Sequence, residues 1–338
     1  MSLPPSEIPQ GAIRFNTDSQ KLEFYAQGEW WNMVTDTPNL GTSSDTTAGA
    51  RGLFYRGYTG SNTNEIDYIN FASTGNAIDF GNALSSNRQA GATGSSTRAV
   101  AVGRDSANNT IEFVEFASTG NAQDFADATA TRAGSPAAMS NGTRGVFAGG
   151  YSGPSITNLV EYITIASEGV NAQDFGDLTV ARSEPSRAQS KTRGVIGSGR
   201  SSPNFVNTID FITLATLGDA QDFGDATVAR SEIGSDSNPI RGVFAGGQTP
   251  SAQTVIDFVT IASTGNAVNF GDVSTTVSST RGSASSTRMV FNLGYNGSSY
   301  VNSIEYVEIM TEGNSVDFGD LQSARGQAAG CSNGHGGL

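Results

Sequence analysis

Apolar positions along this chain come in short runs. Stretches such as "RGVFA" (144–148) and "NTIDFITLAT" (207–216) mix Val, Ile, Phe and Thr over five to ten residues, then stop at Gly, Asn, Ser or Pro. β-Branched and aromatic residues bounded by such breakers predict strands and turns. No stretch reads as a helix.

The pattern recurs. "TRGVFAGG" (143–150) returns as "IRGVFAGG" (240–247), with weaker copies at 50–57, 97–104, 192–199 and 287–294. Their arginines, Arg51, Arg98, Arg144, Arg193, Arg241 and Arg288, stand 46–49 residues apart. An apolar–acid–aromatic step follows in each unit, its acids being Asp67, Glu112, Glu161, Asp210, Asp257 and Glu305. A "STGNA"-like turn comes next, and then a phenylalanine: Phe80, Phe125, Phe175, Phe223, Phe270 and Phe318. Two further strands per unit are expected, one in small polar stretches such as "SRAQSKT" (186–192) and one in "DFGDLTV". Four strands in roughly 47 residues is the arithmetic of a propeller blade. One small sheet cannot bury both its faces, whereas six packed radially can. The predicted fold is therefore all-β: a six-bladed β-propeller over residues 51–338, preceded by a small N-terminal β-meander. The tail "QAAGCSNGHGGL" (327–338) aligns with "QAGATGSSTRAV" (89–100), so it is expected to lend an inner strand to the first blade. The segment "NLGTSSDTTAGA" (39–50) competes for that slot, which makes 37–50 a linker and a candidate closing strand.

Residues 1–36 share nothing with the repeat. "GAIRFNTDSQKLEFYAQGEWWNMV" predicts three short strands with turns at "NTDSQ" and "AQGE". So few apolar residues make too little core to stand alone. Phe24, Trp30 and Trp31 are accordingly expected to be buried against a partner, making this an arm for attachment or oligomerisation.

Composition narrows the function. Acids outnumber bases 32 to 19, a net charge of −13, which repels nucleic acid and anionic lipid alike. No apolar run of about 18 residues is present to insert in a membrane, and the N-terminus does not read as a secretory signal. The single cysteine, Cys331, permits no intrachain disulfide, and with the single histidine, His335, it cannot hold copper or zinc without further donors. A Ser-His-Asp triad would have to draw on that tail histidine. "DFGD" matches a kinase metal motif, yet no kinase glycine loop accompanies it and it repeats. Calcium on Asp174 and Asp177 lacks EF-hand spacing. The expectation is a non-enzymatic protein with no cofactor and no metal.

Two resemblances sharpen the picture. The units resemble degenerate kelch repeats over residues 51–334, with double glycines at Gly149-Gly150 and Gly246-Gly247 and phenylalanine where kelch blades carry tryptophan. The N-terminal segment resembles a "GxIRYNTDTxKLEFYDGxxW" element of bacteriophage virion proteins. The repeats and "SNGHGGL" resemble tail-fibre-like proteins from phages of marine cyanobacteria. That likeness implies a virion protein, made in the host cytoplasm, that joins other virion proteins through its arm and forms a homo-oligomer.

The repeated arginines and acids are expected to be structural, bonding across strands or blades. A second arginine set, Arg88, Arg132, Arg182, Arg230 and Arg325, follows the "DFGD" strand, with Val277 in the fifth unit. The kelch likeness puts these where blades connect, near a channel mouth, where some could touch a ligand, although a structural role is the favoured reading. What varies is the loop after each glycine step. Those loops carry Tyr58, Tyr151, Phe205, Tyr295 and Tyr300, aromatics suited to stacking on a sugar, and they are the candidate contacts for a host surface glycan. The alternative is a purely structural decoration or connector protein with no receptor.

Overall fold

The computed structural model describes residues 8–16, 21–32, 51–103 and 108–338. These fall in two units, Met1–Ser44 and Asp45–Leu338. Residues 39–50, the rival for the closing strand, lie outside the described residues. The described chain is all-β and has no helix.

The first unit is an antiparallel meander of Ile13–Asn16, Lys21–Ala26 and Glu29–Asn32. Gln27 and Gly28, both at positive φ (54° and 86°), make the tight turn between the last two strands. Side chains alternate across a strand, and paired residues share a face. Ile13 therefore shares a face with its partner Phe24, Phe15 with Leu22, and Phe24 with Trp31. All five are exposed, from Phe24 at 36% to Ile13 at 62%. The opposite face is tied together by polar contacts. There Arg14 pairs with Glu23 at 2.8 Å and lies 4.1 Å over Trp30, which meets Tyr25 edge-on at 5.3 Å. Phe24 and Trp31 thus stand on an uncovered apolar face, while Trp30 points the other way and is half-buried within its own unit.

The second unit holds six antiparallel sheets of one plan. The first joins Ala329–Ser332, Arg51–Tyr58, Asn62–Asn70 and Ile78–Asn87. The second runs Gly91–Gly94, Arg98–Val102, Asn108–Glu115, Gln123–Arg132, and the third Ala137–Ser140, Arg144–Ala148, Leu159–Thr164, Gln173–Asp177. The fourth runs Ser186–Gln189, Arg193–Gly197, Thr208–Thr213, Gln221–Asp225. The fifth is Gly234–Ser237, Arg241–Ala245, Ser251–Thr260 and Val268–Val277, with the short Gln248–Thr249 beside its third strand. Arg281–Ala284, Arg288–Asn292, Ser303–Glu308 and Val316–Asp320 form the sixth. The strand named first in each sheet touches its counterpart in the next, and Ala329–Ser332 touches both Arg281–Ala284 and Gly91–Gly94. The order of contact is therefore cyclic.

The apolar core lies between consecutive sheets. Phe80 packs with Phe116 and Ala122 of the second sheet, Phe175 with Ile212 and Leu214 of the fourth, and Phe318 with Phe54 and Phe71 of the first. All six repeat phenylalanines are 1–3% exposed. Each meets the aromatic of its acid-bearing strand edge-on at 5.8–6.1 Å, an orientation that suits two ring quadrupoles.

The glycine of "DFGD" now has a reason. Gly81, Gly176, Gly224, Gly271 and Gly319 have φ of 145–158°, and a Cβ on any of them would strike the carbonyl of the turn glycine in the following sheet. For Gly319 that turn glycine is Gly75 of the first sheet.

The tail supplies the closing strand, with Ala329 opposite Tyr55 and Cys331 opposite Leu53. Beyond it, His335 and its neighbours thread between the sheets' first strands. Gly336 N–H donates to Ser237 O at 2.8 Å, and His335 Nδ1 accepts from Gly337 N–H at 3.1 Å. The Nε2–H therefore donates to Gly94 O at 2.9 Å. Burial pushes the His335 pKa down, keeping the ring neutral. Cβ atoms at Gly336 and Gly337 would collide with the backbone of Gln189, Asn238 and Ser140. After the imidazole of His335, the strap thus has no room for side chains at Gly336 and Gly337.

Candidate binding site

Both repeated charge sets are absorbed by contacts between sheets. Each landmark arginine stacks 4.2–4.8 Å over the aromatic of its own sheet. Its Nη1 donates to a carbonyl of the next sheet at 2.6–3.5 Å: Arg51 to Phe116, Arg98 to Ile165, Arg144 to Leu214, Arg193 to Ile261, Arg241 to Ile309 and Arg288 to Phe71.

The acids face the other way. Every one accepts a backbone N–H from the sheet before it, at 2.8–3.3 Å. The donors are Leu84 for Glu112, Thr129 for Glu161, Thr179 for Asp210, Thr227 for Asp257, Ser274 for Glu305 and Gln322 for Asp67. Four acids also hold the second-set arginine of that same preceding sheet. Arg132 meets Glu161 at 2.8 Å, Arg230 meets Asp257 at 2.6 Å, Arg325 meets Asp67 at 2.9 Å, and Arg182 pairs with Asp210. These four guanidinium groups are completely buried. The minority reading, that some of this set touch a ligand, does not hold for these four: an acid one unit further on draws each arginine inside. Desolvation pushes Arg182 down and Asp67 up, the strain expected when charges leave water.

The series breaks at two junctions. Between the fifth and sixth sheets Val277 replaces the arginine, and Glu305 accepts from the hydroxyls of Ser274 and Ser315. Between the first and second, Glu112 is held at 2.6 Å by Arg56, which also donates to Gly103 O at 3.0 Å. Arg88, the residue in register, lies elsewhere. Its guanidinium sits 4.5 Å over the ring of Tyr58.

Tyr58 ends the second strand of the first sheet and exchanges backbone hydrogen bonds with Gly326, so it sits where the sixth sheet hands over to the first. Tyr300, on a sixth-sheet loop, meets Tyr58 edge-on at 5.5 Å and Tyr295 at 5.2 Å. All three rings are half-buried. Tyr300 rests on the backbone of Gly326, where an added Cβ would come within 2.9 Å of its ring. Burial and the charge of Glu232 push its hydroxyl pKa up, so it stays a proton donor at neutral pH. Three of the five candidate aromatics are thereby brought together with Arg88. Tyr151 lies apart on the Tyr151–Ser152 hairpin, its ring against Gly134. Phe205 ends another hairpin, with Arg200 6.0 Å over its ring.

The space between the first strands is polar and filled. Arg187 spans it, donating to Ala92 O at 2.6 Å and Gly330 O at 2.5 Å. Near one end, Glu184 and Glu232 accept from Ser231 and Ser279 at 3.0 and 2.8 Å. Burial pushes the Cys331 thiol up to about 12, leaving it protonated and unreactive. Among the described residues, no three His, Cys, Asp or Glu side chains are placed to hold a metal ion. No known family model matches the chain, and no curated protein matches it.

The buried pairs predict a sharp loss on cutting one. Arg132→Met strands Glu161 in the interior and should cost about 3–5 kcal/mol in urea unfolding at pH 7. An effect under about 1 kcal/mol would mean the pair is not a structural tie.

Proposed function

We propose that this is a non-enzymatic bacteriophage virion protein, a tail fibre or related component, whose repeat region recognises a host surface glycan. On this account the six sheets are the blades of a six-bladed, kelch-like propeller. The cyclic contacts of the first strands, the core between consecutive sheets and the closing strand Ala329–Ser332 support it. The virion assignment draws on the likeness of "GAIRFNTDSQKLEFYAQGEWW" and "SNGHGGL" to phage sequences. The observation that carries recognition is the grouping of Tyr58, Tyr295, Tyr300 and Arg88 on one junction of an otherwise periodic frame. Aromatic rings stack on sugar faces, and phenol and guanidinium groups bond hydroxyls. Tyr151 and Phe205 offer separate, weaker contacts. Many copies on one particle would multiply a weak site.

A purely structural connector is the second account. It is favoured by how completely the repeated charges are consumed between sheets. An array of bacterial surface glycans separates the two. The full-length chain should bind particular members, and Tyr58→Ala with Tyr295→Ala should weaken that binding about tenfold or more, as loss of stacked aromatic anchors does. No binding by the parent would leave the structural account standing.

The arm would attach the chain through the exposed face of Ile13, Phe15, Leu22, Phe24 and Trp31, to other virion proteins or to further copies. Phe15→Lys with Trp31→Lys should abolish assembly into particles without lowering the melting temperature of the repeat region. Particles that still incorporate the double variant would rule that face out.

A further inference from the structure

The second strand of each sheet has two ends. One carries the landmark arginine, and the other leads to the glycine step and the variable loops. Eight large apolar side chains are exposed among the described residues of the second unit. All but Leu84 lie at the arginine end, in the turns there or at the first residue of a fourth strand.

The units show what the fold accepts at these positions. Two residues before the repeat phenylalanine, the second, third and fourth sheets carry Gln123, Gln173 and Gln221. The fifth, sixth and first carry Val268, Val316 and Ile78. Met310 stands where the five other units have alanine, and Ile240 where four have threonine. Each of these five departures leaves an apolar side chain at least 50% exposed, and all fall on three consecutive sheets. The junctions bring them together. Arg241, next to Ile240, donates to the carbonyl of Ile309, next to Met310, at 3.5 Å. Gly313 N–H, in the turn that begins with Met310, donates to Phe270 O at 2.9 Å, on the strand that begins at Val268. Gly75 N–H, in the turn before Ile78, donates to Phe318 O at 2.7 Å, on the strand that begins at Val316. Exposed apolar side chains gathered on one face mark an interaction site.

Charge and connectivity say what covers it. Asp79, Glu308, Glu312 and Asp317 are exposed beside these residues in the chain. The nearby Arg241 and Arg288 are engaged by Glu312 at 3.5 Å and Glu308 at 2.8 Å. A second copy would set two acidic faces against each other, which like charges oppose, whereas lysines or arginines set among apolar side chains complement the face. The chain also enters the second unit here: Arg51 opens its strand at this end, its N–H donating to Asn333 Oδ1 at 3.1 Å. Residues 33–50 tether this point to the arm. A tether holds a second, weaker contact at high effective concentration once the first is made.

Resting on the virion account above, we propose that the face of Ile240, Val268, Met310, Val316 and Ile78 docks on a basic, apolar surface of a neighbouring virion protein. The arm makes the first contact with the particle and this face the second. The tyrosine loops, at the other ends of the strands, are left clear of it.

The test gives each departure the residue that other units carry: Ile78→Gln, Ile240→Thr, Val268→Gln, Met310→Ala and Val316→Gln together in the full-length chain. The fold already accepts those residues there, so the melting temperature should stay within about 3 °C of the parent's. A larger fall would mean that these positions serve the fold, against the proposal. Incorporation of the fivefold variant into particles should drop about tenfold or more, as when apolar anchors are lost from an interface. In particles, a photo-crosslinking benzoylphenylalanine in place of Met310 should join a Lys- or Arg-rich stretch of another virion protein. The same group in place of Gln123, at the same end of the second sheet, should join none. Incorporation equal to the parent's, or no adduct from position 310, would overturn the proposal while leaving the virion account intact. Adducts formed only with further copies of this chain would overturn it in favour of self-association. A parent chain absent from particles would overturn both.

Discussion

In each sheet a buried carboxylate accepts a backbone N–H from the sheet before it, and the second unit is organised around keeping that carboxylate satisfied. Apolar packing between sheets is the larger energy, but it is non-directional and would tolerate a slip. The carboxylate would not. It must find its N–H, and in five of the six cases its guanidinium as well, or remain an uncompensated charge in the interior. The landmark arginines impose the same discipline in the opposite direction, each reaching from its own aromatic to a carbonyl of the next sheet. Glycine adjoining glycine at the "DFGD" bulge completes the fit. Register between neighbours is thus set by polar contacts, and burial supplies the adhesion.

The closing junction obeys the same rules with parts distant in sequence. Arg325 and Gln322 reach Asp67, Arg288 reaches Phe71, and Gly319 meets Gly75. The strap from Asn333 to Leu338 then lies across the first strands of several sheets, held by His335 and by the absence of side chains at Gly336 and Gly337. The candidate site sits beside this junction, where Tyr58 is locked to Gly326. A rigid frame carrying its irregular residues at one place is the usual arrangement for recognition.

Much of this was legible in the sequence. The strand content, the repeat and the role of the six phenylalanines follow from local pattern, because strand periodicity and breakers are local signals, whereas the choice between the tail and 39–50 as the strand that completes the first sheet was left open by the sequence. The pairing of Arg132 with Glu161 was not legible, since its logic runs across the gap between two sheets and no spacing within a unit encodes it. For the same reason the partners of the second arginine set could not be named from the sequence. Trp30 and Trp31 look like one aromatic patch, yet adjacent residues on a strand face opposite ways, and only Trp31 joins Phe24. One signal was visible and carries the most: Arg56 in a column otherwise filled by glycine, serine and leucine.

The central claim is that Arg56 has taken over the structural duty of Arg88. A crystal structure of Arg56→Gly tests it most directly. The account predicts that Arg88 leaves Tyr58 and bonds Glu112, at about 2.6–3.0 Å as a charge-assisted pair requires, restoring the arrangement of the other units. Arg88 still stacked on Tyr58, with Glu112 holding no guanidinium, would contradict it.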